Sequence, residues 1–238
     1  MNFIYIYSMS KILVLYVFHE FNKNVDIFFN NCIFKNDEID FLIICNDINY
    51  KFNLPDFVMT LSRKNIGRDF GGWSDGLLQD NLYKKYDKFI FANSTITGPF
   101  LKHDFDGKWT DIFINELKGN IKLFGCTINN AYFSHVQSYV FSTDKETLEF
   151  LIEKNVFTIT DYLESAQKAQ DNEINMSKVI IKNGWNIGCL LKCYKDFDFT
   201  FKNKPIKDYK LYGDIMFQKY RNILWNEYDI IFIKSNRM

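Results

Sequence analysis

Lys11-Ile-Leu-Val-Leu-Tyr-Val-Phe18 is the stretch on which the fold turns. The apolar run Ile12–Phe18 lacks the polar alternation of a half-exposed strand, and it falls far short of the ~20 residues that a membrane helix needs. It reads as a strand buried on both faces, the kind from which parallel sheets are made. Phe41-Leu-Ile-Ile-Cys45, Lys88-Phe-Ile-Phe-Ala92 and Ile121–Cys126 repeat the pattern. Helical patterns separate them. Glu20–Asn31 spaces Phe21, Val25, Phe28 and Phe29 by threes and fours. Gly72–Tyr83 places Trp73, Leu77 and Leu78 on one face, and Trp109–Leu117 follows. Further strands are expected at Asp56–Ser62, Ser138–Ser142, Trp185–Leu191 and Ile230–Ile233, with a helix at Lys145–Glu153 and a helical region, in one piece or two, at Asp161–Lys182. This alternation predicts an α/β domain with a mostly parallel sheet and helices on both faces.

Composition narrows the function. The 238 residues carry 29 Lys plus Arg and 29 Asp plus Glu, so the basic excess of a nucleic-acid binder is missing. Apolar residues reach 47 %, which excludes global disorder. The 25 Phe and 14 Tyr accompany abundant Asn, Ile and Lys, the signature of an A/T-rich genome, so aromatic count alone carries no functional weight. The 5 cysteines are odd in number and lack disulfide-framework spacing. Cys45 and Cys126 read as buried strand residues. Cys189 and Cys193 lack the second pair that a zinc site needs. A reducing, cytoplasmic setting fits. The N-terminus has no signal-peptide pattern and no transmembrane segment is expected. Met9 is a candidate start, with residues 1–8 an N-terminal extension.

Several enzyme classes drop out on motif. No Gly-x-x-x-x-Gly-Lys-Ser/Thr loop is present. Where a dinucleotide fingerprint should follow the first strand, the chain reads Phe18-His19-Glu20-Phe21. No Gly-x-Ser-x-Gly elbow occurs. In parallel sheets ligands bind beyond the carboxyl ends of the strands. Three polar clusters fall there: Asn46-Asp47, Asn65–Trp73 and Asn93–Pro99. The densest stretch is Arg63-Lys-Asn-Ile-Gly67-Arg68-Asp69-Phe-Gly71-Gly72-Trp73. Its glycines permit backbone turns, and a helix N-terminus beside Arg68 suits a phosphate. An ordinary Gly-rich turn with a solvated Arg/Asp pair is the plainer reading.

The order of these pieces resembles the nucleotide-sugar half of a GT-A (Rossmann-like) glycosyltransferase. There an Asn-x-Gly segment precedes a helix and the next strand ends in a metal-binding Asp-x-Asp. Here the tripeptide is Asn93-Ser94-Thr95, without a carboxylate. Asn65–Trp73, Asn93-Ser-Thr-Ile-Thr-Gly-Pro-Phe100, Trp109-Thr-Asp111 and His135-Val-Gln-Ser138 together are similar to a set in small transferases. Those include capsid-glycan transferases of giant viruses and chloroviruses and, more distantly, the rhamnan-synthesis protein F family. The set spans most of residues 10–238. A further GT-A feature is an acidic residue followed by Leu, then by Gly plus an aromatic. Glu173, Met176 and Gly184-Trp185 keep that spacing, which implies Glu173 as catalytic base at the first turn of a helix, with Asp171 as its competitor.

The resemblance implies one transferase domain over 1–238, with a nucleotide-sugar half at 9–127 and an acceptor and catalytic half at 128–238. Asn46, Asp47, Asn65, Arg68 and Asp69 would hold a UDP- or GDP-sugar. Asn93 and Ser94 take the diphosphate or metal position, and Mn or Mg is compatible with the donor phosphates. His135 would steady a phosphate or acceptor hydroxyl. Lys234 or Arg237 would close over the diphosphate, against the plainer reading of a solvated basic tail. Trp73 and Trp109 are either core or stacking residues. The acceptor, a glycan or glycoprotein, would enter over 128–170. A viral source places the work in host cytoplasm or a virus factory. The rival is a catalytically degenerate fold that binds a glycan or nucleotide without turnover.

Overall fold

In the computed structural model, which describes residues 10–158, 166–202 and 210–235, strand β1 (Ile12–Phe18) buries all seven of its residues. Residues 1–8, Met9, the segment 159–165 and Arg237 lie outside the described residues. Helix α1 (Lys23–Asn31) starts later than Glu20 because Asn22 caps it, its side chain accepting from the backbone N–H groups of Asn24 and Val25. Phe28 of α1 stacks on Tyr16 with ring centroids 3.8 Å apart. Strands β2 (Ile39–Cys45) and β3 (Met59–Ser62) follow.

Helix α2 (Arg68–Leu78) starts four residues before the expected Gly72, because two left-handed residues, Gly67 at φ 73° and Arg68 at φ 52°, turn the chain into it. Gly71 and Gly72 are therefore helical rather than turn residues. A Cβ on Gly72 would stand 2.7 Å from Val17 Cγ2, so the bare backbone is what lets α2 lie close on β1. Trp73 is wholly buried, edge-on to Phe91 and Phe141. Trp109 is buried too, with Nε1 donating to the Cys32 carbonyl at 2.9 Å. Both tryptophans are core, which removes them as stacking residues for a sugar or base.

The chain continues through β4 (Lys88–Asn93), β5 (Ile96–Thr97), α3 (Trp109–Ile114), β6 (Ile121–Gly125), β7 (Ile128–Asn129), β8 (His135–Val136), β9 (Val140–Asp144), α4 (Lys145–Glu153), α5 (Ala166–Lys182) and β10 (Asn186–Cys189). The expected strand at Ile230–Ile233 is instead the end of a short helix, α6 (Glu227–Ile230), a left-handed Ile231 and the two-residue β11 (Ile233–Lys234). The main sheet runs β10-β6-β9-β4-β1-β2-β3. Neighbours are parallel except at β9, which opposes both β4 and β6. The fold is thus α/β with a mostly parallel sheet. Tyr16 points to α1 and the adjacent Val17 to α2, so helices cover both faces. The cysteines are unbridged, and Cys45, Cys126 and Cys189 are buried. Among the described residues no helix is long and apolar enough to cross a membrane.

Candidate functional site

β1, β2 and β4 end at one edge of the sheet, and the chain beyond each end is polar. Arg63 organises this edge. Its guanidinium pairs with Asp75 of α2, donates to Asn46 Oδ1 at 2.7 Å and to the Ile66 carbonyl at 2.7 Å. Asn46 is buried, and its amide nitrogen donates to the Arg68 carbonyl at 3.1 Å. Both ends of Asn46 therefore hold the left-handed turn at Gly67–Arg68 in place. Arg63 had no part in the expected site; its role comes from contacts with residues 12 positions away in one case and 17 in the other.

Asn93 at the end of β4 is equally engaged. Its amide donates to Asp69 Oδ2 at 2.9 Å, and its carbonyl oxygen accepts from the Thr95 backbone N–H and hydroxyl. Asn93 thus orients Asp69. β11 pairs with β5, so Lys234 lies opposite Ile96, and Ser235 fastens the end of β11 by donating its N–H to the Thr95 carbonyl at 2.7 Å. Asn24 of α1 ties the same corner, donating to the Ser94 carbonyl and to Ser235 Oγ. The basic end of β11 is thereby brought to the sheet edge; Arg237 lies outside the described residues.

A polar cavity of about 350 Å³ opens above this edge. Arg68, Asp69, Lys234, Glu173, His135 and Asp214 give it its charge. Glu173 sits in the middle of α5, not at its first turn, so the helix dipole has no part in its state. Hydrogen bonds fix it. Ser138 donates its backbone N–H at 2.7 Å and its hydroxyl to Glu173 Oε2, while His135 Nε2 lies 3.4 Å from Oε1. Burial works to raise the Glu173 pKa, but the His135 and Ser138 hydrogen bonds outweigh it and hold the carboxyl below its usual value. Burial likewise works against His135, yet Glu173, the Phe133 carbonyl and the Asp214 charge raise its pKa. Asp69 goes the other way. Burial pushes it up to about 6, against Asn93, Lys234 and Arg68, with the Glu173 charge adding to the rise.

Arg68, Asp69, Glu173, His135 and Lys234 thus come together. Asn46 and Asn93 support them from below. Asp47 caps a turn by accepting from the Asn49 N–H, Ser94 contributes its backbone to Val17 and Asn24, and Asn65 is exposed; none of these lines the cavity. Asp171 is exposed on α5, two residues from Glu173, and also lies outside the lining. His135, expected to steady a phosphate or an acceptor hydroxyl, lines the cavity with its ring nitrogens directed at Glu173 and the Phe133 carbonyl. Ser138 was part of the His135-Val-Gln-Ser138 motif, but its role as donor to Glu173 depends on a contact across 35 residues. Phe70, Asn129, Tyr132, Gln137 and Asp214 also line the cavity; Phe70 and Gln137 fall inside the quoted motifs, whereas no spacing announced Asn129, Tyr132 or Asp214. Where the resemblance expects a metal-binding carboxylate, the Asn93 amide is already committed to Asp69 and Thr95. Among the described residues no three His, Cys, Asp or Glu side chains cluster to hold an ion. This donor set does not fit a divalent cation held by the protein alone.

Residues 42–224 match the family model described as Rhamnan synthesis protein F, and the chain belongs to that family. It is 29 % identical over 100 residues to Virulence protein VirA of Vibrio anguillarum (strain ATCC 68554 / 775), a match covering 41 % of this chain and 29 % of VirA. Among solved structures it is similar to the apo-form glycosyltransferase GlyE of Streptococcus pneumoniae TIGR4, at 15 % identity and a TM-score of 0.45, over 81 % of this chain and 50 % of that one. A second GlyE structure gives 13 % and 0.42, with 81 % and 48 % covered. The chain spans about half the length of GlyE and less than a third of VirA.

Proposed function

We propose that this chain is a glycosyltransferase that moves a sugar from a nucleotide-diphosphate donor to a hydroxyl of a glycan or glycoprotein, with inversion. One observation carries the reading: a single polar cavity joins two cations, Arg68 and Lys234, to a carboxylate, Glu173, held by three donors. Family membership and the resemblance in the motif set agree with it. The diphosphate lies against Arg68 and Lys234, which neutralise the charge released as the anomeric C–O bond breaks. Asp69, beside both cations, takes a hydroxyl of the donor sugar. The acceptor hydroxyl attacks the anomeric carbon from the opposite face and passes its proton to Glu173. Ser138 and His135 hold the carboxylate at the angle that the transfer needs.

The test is a thermal-shift panel of UDP- and GDP-sugars, with and without Mn²⁺, followed by NMR of the products. A bound donor stabilises the fold by roughly 2.7 kcal/mol at a hundredfold excess over Kd. Transfer with inverted anomeric configuration is expected. Donor binding without hydrolysis or transfer would make the chain a binding module instead. The same panel addresses metal, because calorimetric binding of Mn²⁺ to the free protein should be weak; sub-micromolar affinity contradicts the account of Asn93.

A further inference from the structure

The cavity draws its groups from two sides. Arg68 and Asp69 enter from the start of α2 and Lys234 from β11, which give it a cationic end. Asn129, Tyr132 and His135 come from the segment of β7, β8 and the loop between them, with Gly213, the neighbour of Asp214, beside Ala131 of that loop. A diphosphate belongs at the cationic end. The far end offers Asp214, Asn129 and Gln137, a lining of carboxylate and amide groups suited to sugar hydroxyls. At this end stands Tyr132, which lines the cavity and yet is 86 % exposed.

The loop that carries Tyr132 is tied down rather than loose. It joins β7 to β8, and Asn130 anchors it. The Asn130 N–H and amide donate to the Tyr212 carbonyl, the amide also donates to the Tyr194 hydroxyl at 2.8 Å, and the Ser134 hydroxyl donates to Asn130 Oδ1 at 2.6 Å. Ala131 donates its N–H to Asn129 Oδ1 at 2.9 Å and packs its Cβ toward Gly213, the neighbour of Asp214. A held loop thus presents an uncovered ring at the mouth of a polar cavity. Isolated exposed aromatics are ordinary on protein surfaces. A ring that a tied loop presents at a cavity mouth lined with hydroxyl-binding groups is a different case, because a pyranose has one apolar C–H face and a rim of hydroxyls, and this arrangement offers a partner for each.

We propose that Tyr132 is the platform on which the acceptor saccharide stacks, with Asp214 and Asn129 receiving its hydroxyls. The proposal rests on the transferase reading for the word acceptor, but the saccharide subsite can be tested without turnover. Saturation-transfer NMR with the methyl glycosides of rhamnose, glucose and galactose, each with the wild-type, Tyr132→Ala and Tyr132→Phe proteins, reads it directly. At least one glycoside should show transfer to its ring C–H protons with the wild type. Tyr132→Ala should weaken that signal about tenfold, on the scale of a lost ring contact. Tyr132→Phe should keep it, since the flat face and not the hydroxyl does the work. UDP and GDP thermal shifts should be the same in all three proteins. No glycoside signal from the wild type, or an undiminished one from Tyr132→Ala, overturns the subsite. A nucleotide shift that disappears in Tyr132→Ala overturns it as well, assigning the ring to the donor base. Glycoside binding that depends on Tyr132 in a protein that binds no nucleotide sustains the subsite and removes the transferase reading.

Discussion

The two walls of the cavity are built in different ways. Arg68 and Asp69 come from one short stretch at the start of α2, directly beyond the buried strands, and their supports Arg63 and Asn46 follow from the same sheet edge. Glu173, Ser138, His135 and Asp214 come from a helix, a turn, a two-residue strand and an irregular segment, and apart from His135 and Ser138, three residues apart, they are distant from one another in the chain. The first wall is local geometry held by the nearly buried Arg63 and its part-exposed partner Asp75. The second is an assembly centred on one carboxylate, which Ser138 and His135 hold by hydrogen bonds. A local wall should tolerate the loss of its exposed members and fail with its scaffold; an assembled wall should lose function, rather than fold, when its central member changes.

The sharpest way to break this contrast is Glu173→Gln. The amide keeps the volume and can still accept from Ser138, so the fold and nucleotide affinity should persist. Loss of a general base typically slows transfer by about 10²–10⁴. Transfer at the wild-type rate, or a retained anomeric configuration in the product, would take the base role from Glu173.

On the other wall the largest expected effect is on stability. Arg63 is nearly buried, with its partner Asp75 about one-third exposed. Arg63→Ala leaves Asp75, Asn46 Oδ1 and the Ile66 carbonyl short of a donor, so unfolding should become easier by about 3 kcal/mol. Nucleotide binding should weaken with it, because the Gly67–Arg68 turn loses its anchor. Denaturant titration checks the first effect; a loss below about 1 kcal/mol would mean that the turn is held by its glycine and not by Arg63.

Lys234→Ala should do less and do it differently. Lys234 sits on a two-residue strand at the surface edge and carries no scaffold. Its loss should weaken nucleoside-diphosphate binding about tenfold at low salt, with the gap narrowing as salt screens the wild-type attraction. Calorimetry at two ionic strengths reads it. A salt-independent difference would mean that Lys234 acts by packing.

The contrast between the walls also explains what was legible. β1, β2 and β4 are continuous apolar runs, so the sheet and its binding edge can be read directly, and Arg68 and Asp69 with them. The glycines misled about the start of α2, because Gly72 serves helix–sheet approach, Gly71 lets the helix close on the Ile66 carbonyl, and only Gly67 takes the left-handed conformation of the turn. Ile230–Ile233 is apolar because it is buried, and burial does not distinguish a strand from a helix end followed by a left-handed residue. The spacing to Met176 and Gly184-Trp185 singled out Glu173 but put it at a first turn; its place in the middle of α5 was not legible there, and its donors Ser138 and His135 lie 35 and 38 residues away in the chain. Tyr132 and Asp214 belong to no periodic pattern and became visible only when the loops met.

The finest test of the assembled wall is the pH dependence of His135. Its folded-state pKa is raised, so its pairing contributes stability fully below the unfolded value of 6.5 and loses it as pH rises through the folded value. The folded-state pKa of Glu173 is lowered, so its share is present above 4.5 and is lost as pH falls through the folded value. The pair is therefore most favourable between those limits. His135→Gln should cost about 1.5 kcal/mol near pH 5.5, the low end for a hydrogen bond to a charged group, as its long contact to Glu173 implies. Toward pH 9 the difference from wild type should shrink. A merely structural histidine would give the same loss at both pH values. The variant should also shift the acid limb of the rate profile upward, because Glu173 loses one of the donors that hold its pKa down. An acid limb that stays where it is in His135→Gln would show that Ser138 alone holds the carboxylate, and the second wall would then rest on one donor residue instead of two.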